Sequence, residues 1–203
     1  LVCKDYLEFF PEIERDYEIQ EIRDHAEYLY LTEKLYSLNG NRLHKKRNLI
    51  SQFKKRYPGY RIEPIHPGNS QRIKVFARFL LDRIQGPATE LENEYKAISR
   101  ALDYFDELEM GGLGLFLENQ VVAFSLFSRL NCFTYNIQFE KSDISFKGAA
   151  QVINQETAGF LRDRCLYLNR EQDLGIRGLR QAKMSYEPEI LFVPYQLKFI
   201  DRS

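Results

Sequence analysis

Cys165-Leu166-Tyr167-Leu168-Asn169-Arg170-Glu171-Gln172-Asp173-Leu174-Gly175-Ile176-Arg177-Gly178-Leu179-Arg180-Gln181-Ala182-Lys183-Met184-Ser185-Tyr186 changes character twice. Cys165 to Leu168 reads as a short strand, Asn169 to Asp173 are polar without a break, and a helix starts within a few residues. Polar side chains gathered where a strand hands over to a helix fit the ligand-binding end of an α/β sheet. Read alone, the window also fits a capped junction with Asp173 as N-cap.

Outward from this junction, strand and helix patterns alternate. Ala26 to Leu31 reads as a strand. Leu43, Ile50, Phe53 and Tyr57 repeat at helical spacing up to Pro58-Gly59, and Tyr60 to Ile65 alternates as a strand. Ile73, Phe76, Leu80 and Ile84 mark a second helix ended by Gly86-Pro87, and Tyr95, Ile98, Leu102 and Phe105 mark a third. Gly111-Gly112 opens a hairpin of Leu113–Leu117 and Val121–Leu130, and Cys132 to Glu140 is a further strand. Gly148 to Leu161 reads as a helix, and Glu189 to Ile200 as one or two last strands. Mixed elements in this order predict an α/β (α+β) domain.

The 203 residues suffice for one full domain with a sizeable core, or one domain and part of another. An apolar content of 44% and a charged content of 29% are those of a globular chain. Net charge is zero, so no global field draws nucleic acid or anionic lipid. Charge is nevertheless sorted: residues 1–33 hold ten acids and three bases, and residues 34–62 hold nine bases and no acid. The break coincides with the turn signal Ser37-Leu38-Asn39-Gly40-Asn41, which sets a domain boundary near residue 37. Cys3, Cys132 and Cys165 lack C-x-x-C spacing, and the expectation is reduced thiols in a cytoplasmic protein. No apolar run approaches the length of a membrane span, and the first residue, Leu1, predicts a chain that begins earlier.

Three groups of residues are candidates for chemistry. On the strand Tyr135–Lys141, alternation puts Tyr135, Ile137 and Phe139 on one face and Asn136, Gln138 and Glu140 on the other. Such a polar row is costly unless it lines a cleft; a wet edge strand is the alternative. Ser145-Phe146-Lys147-Gly148-Ala149-Ala150 precedes a helix whose free N–H groups suit a phosphate, and it also reads as a plain helix start. On the helix after residue 43, His44, Arg47, Lys54 and Lys55 share one arc. That stripe would bind tRNA phosphates or anionic headgroups, or be a solvated face.

The run N-R-E-x-D-L-G-x-x-G-L-R-x-A-K-x-S-Y-x-P from Asn169 to Pro188 closely resembles the signature of the phosphatidylglycerol lysyltransferase C-terminal domain family. That family's fold is related to the GNAT acyltransferases, so the resemblance implies a mixed central sheet flanked by helices. Glu140 and Lys141 match its H-x-E-K segment, with Gln138 where the family has His. An amide does not titrate near neutrality, so Gln138 cannot shuttle a proton as a His would. Asn154-Gln155-Glu156 is similar to its I-N-Q-E segment, which makes Asn154 cleft-facing, and Lys45-Lys46-Arg47-Asn48 is similar to its K-K-R-N segment. Gly148 and Ala150, with Ser145, match only loosely the Q/R-x-x-G-x-G/A loop with which GNAT enzymes hold the CoA pyrophosphate.

The resemblance covers residues from about 24 to 196 and implies tandem lobes. Residues 1–36 would be the tail of a preceding, mostly absent GNAT-like lobe, and residues 37–203 a complete GNAT-like domain. It further implies transfer of an amino acid from aminoacyl-tRNA to a phosphatidylglycerol-like acceptor, in the cytoplasm and peripheral at the inner membrane face. In that reading Glu140, Lys141, Asn169, Arg170, Glu171 and Asp173 are catalytic and Glu140, or a water it positions, is the base. Arg180 and Lys183 hold a phosphate or the tRNA acceptor end, with Gln138, Asn154, Tyr186, Lys147 and Gly148 also binding substrate. Lys45, Lys46, Arg47, Lys54 and Lys55 meet the polyanion. No metal and no cofactor is expected; the acyl donor is aminoacyl-tRNA before acyl-CoA. Two other functions fit the same residues: an acetyl-CoA-dependent N-acetyltransferase, and a non-catalytic binding module that Gln138 favours. The chain has no G-x-S-x-G, Walker A, G-x-G-x-x-G or H-E-x-x-H motif, and His25, His44 and His66 lack metal-ligand spacing.

Overall fold

Most strong periodicities in the sequence become the elements they predict, although the second expected helix stops at Leu81, short of Ile84, and the third at Asp103, short of Phe105. A computed structural model describes residues 1–201. In chain order, the first half holds α1 (Lys4–Phe9), β1 (Tyr17–Glu21), β2 (Glu27–Leu31), α2 (Thr32–Ser37), α3 (His44–Arg56), β3 (Tyr60–Pro64), α4 (Pro67–Leu81) and α5 (Ala88–Asp103). The second holds β4 (Gly111–Leu117), β5 (Gln120–Arg129), β6 (Thr134–Ser142), α6 (Ala149–Leu161), β7 (Tyr167–Asn169), α7 (Arg177–Met184), β8 (Ile190–Phe192) and β9 (Tyr195–Phe199). The elements gather into two units, one of Leu31–Leu168 and one of Leu1–Tyr30 with the described part of Asn169–Ser203.

In the larger unit β3, β4, β5 and β6 form an antiparallel run, with Ile62 opposite Leu115, Leu113 opposite Ser125 and Ser125 opposite Glu140. α6 then links β6 to its sheet neighbour β7 by the crossover that a parallel pair requires, so the sheet is mixed. One face of β5 packs Phe124 and Leu126 against Ile73 and Phe76 of α4 and Ile98 and Leu102 of α5. The opposite face receives α6, whose Val152, Ile153, Ala158 and Leu161 are buried. Glycines set two of the approaches on that side. A Cβ on Gly159 would lie 2.9 Å from the Tyr36 ring, and one on Gly148 would lie 2.5 Å from the Leu49 carbonyl oxygen. Burial of Ile50 and Phe53 on α3 against this layer leaves the basic residues of that helix outward.

In the smaller unit β2 pairs with β8 and β1 with β9, both antiparallel, with Tyr28 opposite Leu191 and Ile19 opposite Leu197. β1 and α1 carry no apolar period strong enough to announce them, and both are largely exposed.

Candidate functional site

The signature loop belongs to the smaller unit, and a buried carboxylate organises it. Asp173 is 0% exposed. Its Oδ2 accepts from Arg180 Nε at 2.9 Å, from Arg23 at 3.1 Å and from the Tyr28 hydroxyl. Its Oδ1 accepts from Arg180 Nη2 and the Gly175 amide, each at 2.9 Å. Arg180 also reaches Asp24 at 2.6 Å. The Arg180 hydrogen bonds outweigh burial and hold the Asp173 carboxyl well below the usual carboxylate range, helped by Tyr28 and the Gly175 amide. Burial, then the Asp173 contact, pushes the Tyr28 phenol up. Asp173 is therefore not the helix N-cap that its place in the sequence suggests. α7 begins after Ile176, and the Asp173 side chain closes a turn onto Gly175 instead.

Around this anchor the backbone is bent hard. Glu171 and Leu174 both adopt left-handed φ, at 56° and 52°. Lys183, 7% exposed, donates to the carbonyls of Arg170 and Glu171, and the Tyr30 hydroxyl donates to the Lys183 carbonyl at 2.9 Å. Asn169 gives its amide to Glu27 at 2.7 Å and accepts the Glu171 N–H at 3.0 Å. The Arg170 guanidinium lies over the rings of Tyr30 and buried Tyr186, 5.7 and 5.0 Å from their centroids. Asn169, Arg170, Glu171, Asp173, Arg180, Lys183 and Tyr186 thus come together, as a braced loop.

Glu140 and Asn154 meet in the larger unit. A β-bulge between Leu126 and Phe127 sets Phe139 opposite Leu126 but Ile137 opposite Phe127, with Gln138 as the extra residue. The expected alternation therefore fails: Asn136, opposite Ser128, and Glu140, opposite Ser125, fall on different faces. Gln138 turns its amide to Ser128 Oγ at 2.5 Å. Glu140 looks toward α6, where Asn154 Nδ2 donates to its Oε2 at 3.0 Å. Asn154 is buried, at 3% exposure, rather than facing an open cleft. Lys141 points the other way, in an ion pair with Glu94 of α5. Ser125, opposite Glu140 in the ladder, and Thr157, one helical turn after Asn154, are buried polar residues as well. Neither drew notice in the sequence, although a serine inside Val121-Val122-Ala123-Phe124-Ser125-Leu126-Phe127 is a polar break in a buried run.

The segment before α6 has its own local explanation. Asp143 accepts both the Ser145 amide and hydroxyl, at 2.9 and 2.7 Å, which sets a carboxylate in the loop where a phosphate was considered. Gly148 has φ of 97° and touches Leu49, so its glycine follows from backbone shape and close packing. Lys147 is exposed. On α3, Arg47 donates to the carbonyls of Leu38 and Gly40 and Lys54 to Glu156 at 3.1 Å, while Lys45 and Lys55 are exposed. Arg47, Ser51, Lys54, Lys55 and Gln155 line a shallow depression there.

Among the described residues no group of His, Cys, Asp and Glu could hold a metal, and no helix is long and apolar enough to cross a membrane. A conserved protein of unknown function from Bacteroides thetaiotaomicron superposes with a TM-score of 0.88 at 31% identity, over 98% of this chain and 68% of that one. L-PGS from Bacillus licheniformis superposes at 0.66 with 14% identity, over 99% and 67%, which shows a shared fold. An uncharacterised protein of Mycoplasmoides gallisepticum is 22% identical over 93% of this chain, which spans 61% of that relative's length. The fold is a mixed α/β sheet flanked by helices. Residues 2–195 match the family model described as phosphatidylglycerol lysyltransferase, C-terminal. With nearly its whole length inside that match, the chain belongs to the phosphatidylglycerol lysyltransferase C-terminal family.

Proposed function

We propose that this acyltransferase-type domain moves an aminoacyl group from aminoacyl-tRNA to a hydroxyl of a phosphatidylglycerol-like acceptor, at the cytoplasmic face of a membrane. An aminoacyl ester is already activated, so the protein's work is to align the acceptor and stabilise the developing oxyanion. The observation that carries the reading is the Glu140–Asn154 pair. It places a half-buried carboxylate, steered by an amide at 3.0 Å, inside a polar group that the fold buries at an energetic cost. In this reading Glu140 touches the substrate. Asp173, Arg180 and Lys183 shape the Asn169–Gly175 loop, and the exposed lysines of α3 meet the polyanion.

Two features support aminoacyl-tRNA over acyl-CoA as donor: the Asp143 carboxylate in the loop before α6, and a Gly148 whose identity local packing accounts for. The test is transfer of radiolabelled lysine from lysyl-tRNA into phosphatidylglycerol micelles by the protein and its Glu140→Gln variant. The variant should lose at least about 100-fold in rate while melting at the same temperature. A second reading, a binding module without chemistry, rests on Gln138, whose amide cannot titrate. Micelle and tRNA binding with no transfer under any condition would establish that one and overturn the first.

A further inference from the structure

At one end of the sheet in the larger unit, two loops present apolar side chains to solvent. Leu130–Phe133 joins β5 to β6, and Arg162–Leu166 joins α6 to β7. The loops are bonded to each other, because the Phe133 carbonyl accepts the N–H groups of Leu166 and Tyr167, each at 2.9 Å. Leu130, Phe133 and Leu166 are 57%, 63% and 52% exposed. The first turn is built to hold them there: the amides of Leu130 and Asn131 donate to the Thr134 carbonyl, and the Phe133 amide donates to the Asn131 side chain at 2.9 Å. A single exposed leucine is ordinary on a protein surface, but three large apolar side chains on two bonded loops form a patch.

The charges around the patch have one sign in excess. Arg129, Arg162 and Arg164 are exposed on or beside the two loops, against one acid there, Asp163. Arg164 lies over the half-exposed Phe160 ring, 4.2 Å from its centroid, and Arg129 donates to the Asn131 carbonyl at 3.2 Å. Arg162 lies over the Tyr36 ring, with Asp163 at 3.6 Å. α2 brings Glu33 and Lys34 to the margin, where their charges offset each other. A second copy of the chain fits this surface badly, since a two-fold contact would set three arginines against the same three. A protein partner would have to offer pockets for side chains that project from turns. An anionic bilayer suits both halves: its interface takes leucine and phenylalanine to the acyl boundary, and its headgroups meet arginines whose stems lie along apolar surface.

We propose that these two loops dock the domain on an anionic lipid bilayer. Leu130, Phe133 and Leu166 enter the interface, and Arg129, Arg162 and Arg164 lie among the headgroups. Docking needs no transfer chemistry; only the identification of this bilayer as the source of the acceptor lipid rests on the aminoacyl-transfer reading.

The chain has no Trp, so Phe133→Trp introduces a single fluorescent reporter, and Tyr104→Trp, at a position 56% exposed beyond the end of α5, is its control. With vesicles of equal parts phosphatidylglycerol and phosphatidylcholine, emission from position 133 should move to the blue and be quenched by lipids brominated along the acyl chain. Emission from the control should not change. In co-sedimentation, vesicles of phosphatidylcholine alone should bind about 10-fold more weakly or less. The same loss should follow from Leu130→Ser with Leu166→Ser, and from Arg129→Gln with Arg164→Gln, at an unchanged melting temperature. No shift at position 133, an equal shift in the control, or vesicle binding that neither pair of substitutions weakens would overturn the proposal. So would a blue shift that grows with protein concentration in the absence of lipid, which would make a second copy the occupant. Lysine transfer from lysyl-tRNA into the same vesicles then separates the two readings. Docking without transfer keeps the surface and removes aminoacyl transfer. Transfer at an undiminished rate by the chain with Leu130→Ser and Leu166→Ser keeps aminoacyl transfer and removes the surface.

Discussion

Replacing Asp173 by Asn removes one negative charge from a pocket with two guanidinium partners, and the cost can be worked from the contacts. An uncompensated buried charge costs roughly 3–5 kcal/mol. Here the side chains of Arg180 and Arg23 are 35% and 32% exposed, so both can recruit water once the carboxylate has gone. The Asn oxygen can still accept from Gly175 or Tyr28. Both effects place the loss near the low end, about 3 kcal/mol, or a fall of roughly 6–12 °C in melting temperature for a chain of this size. The pH dependence follows from the depressed Asp173 pKa in the folded protein. Its stabilisation is fully present above the unfolded carboxylate's value of about 4 and is lost as pH falls toward the folded value. The gap between the two proteins should therefore be constant from about pH 7 to pH 5 and shrink only below about pH 4. Urea unfolding followed by tyrosine circular dichroism suits a chain with 13 Tyr and no Trp, and coincidence with far-ultraviolet signals checks cooperativity. A loss under about 1 kcal/mol at neutral pH, or a gap already narrowing between pH 7 and 5, would refute the reasoning.

Other perturbations probe the remaining parts. Gly148→Ala forces a Cβ to 2.5 Å from the Leu49 carbonyl at φ of 97°, and should destabilise by about 2 kcal/mol or more in thermal melts. Lys183→Met removes the donor to the Arg170 and Glu171 carbonyls, and amide exchange across residues 170–175 should accelerate about tenfold or more. Changing exposed Lys45 and Lys55 together to Gln should weaken tRNA binding and lower the slope of log affinity against log salt by roughly 1.5.

The fold was legible where one face of an element is apolar. Leu43, Ile50 and Phe53 are all buried on or beside α3, as their spacing predicts, and Gly111-Gly112 does open the β4–β5 hairpin. What failed is what periodicity cannot carry. The bulge at Gln138 adds one residue to a ladder and reverses the face of everything beyond it, and no residue type in Tyr135–Lys141 marks that slip. The pairing of β2 with β8 joins segments some 160 residues apart, and the short, exposed β8 gives little pattern to match. For the site, the sequence named Glu140 and Asn154 but not their neighbour Ser125, because a cross-strand partner is fixed by register and not by spacing along the chain.

The most recognisable words of the chain and its best candidate chemistry are therefore different things. Asp173 and Arg180 stand seven residues apart and bond to each other, so their spacing records a folding requirement: losing either leaves the other's charge exposed to a poorly matched pocket. Glu140 and Asn154 stand fourteen apart on a strand and a helix, and nothing local requires either to be polar. Loss of activity in Arg180→Ala would thus have two origins, a damaged loop or a missing substrate contact. Stability separates them. Arg180→Ala should lose activity and melting temperature together and regain part of both when the Asp173 charge is also removed, since the double change no longer leaves a buried carboxylate with Arg23 as its remaining guanidinium partner. Glu140→Gln should lose activity alone, and no second substitution at Asp173 should restore it.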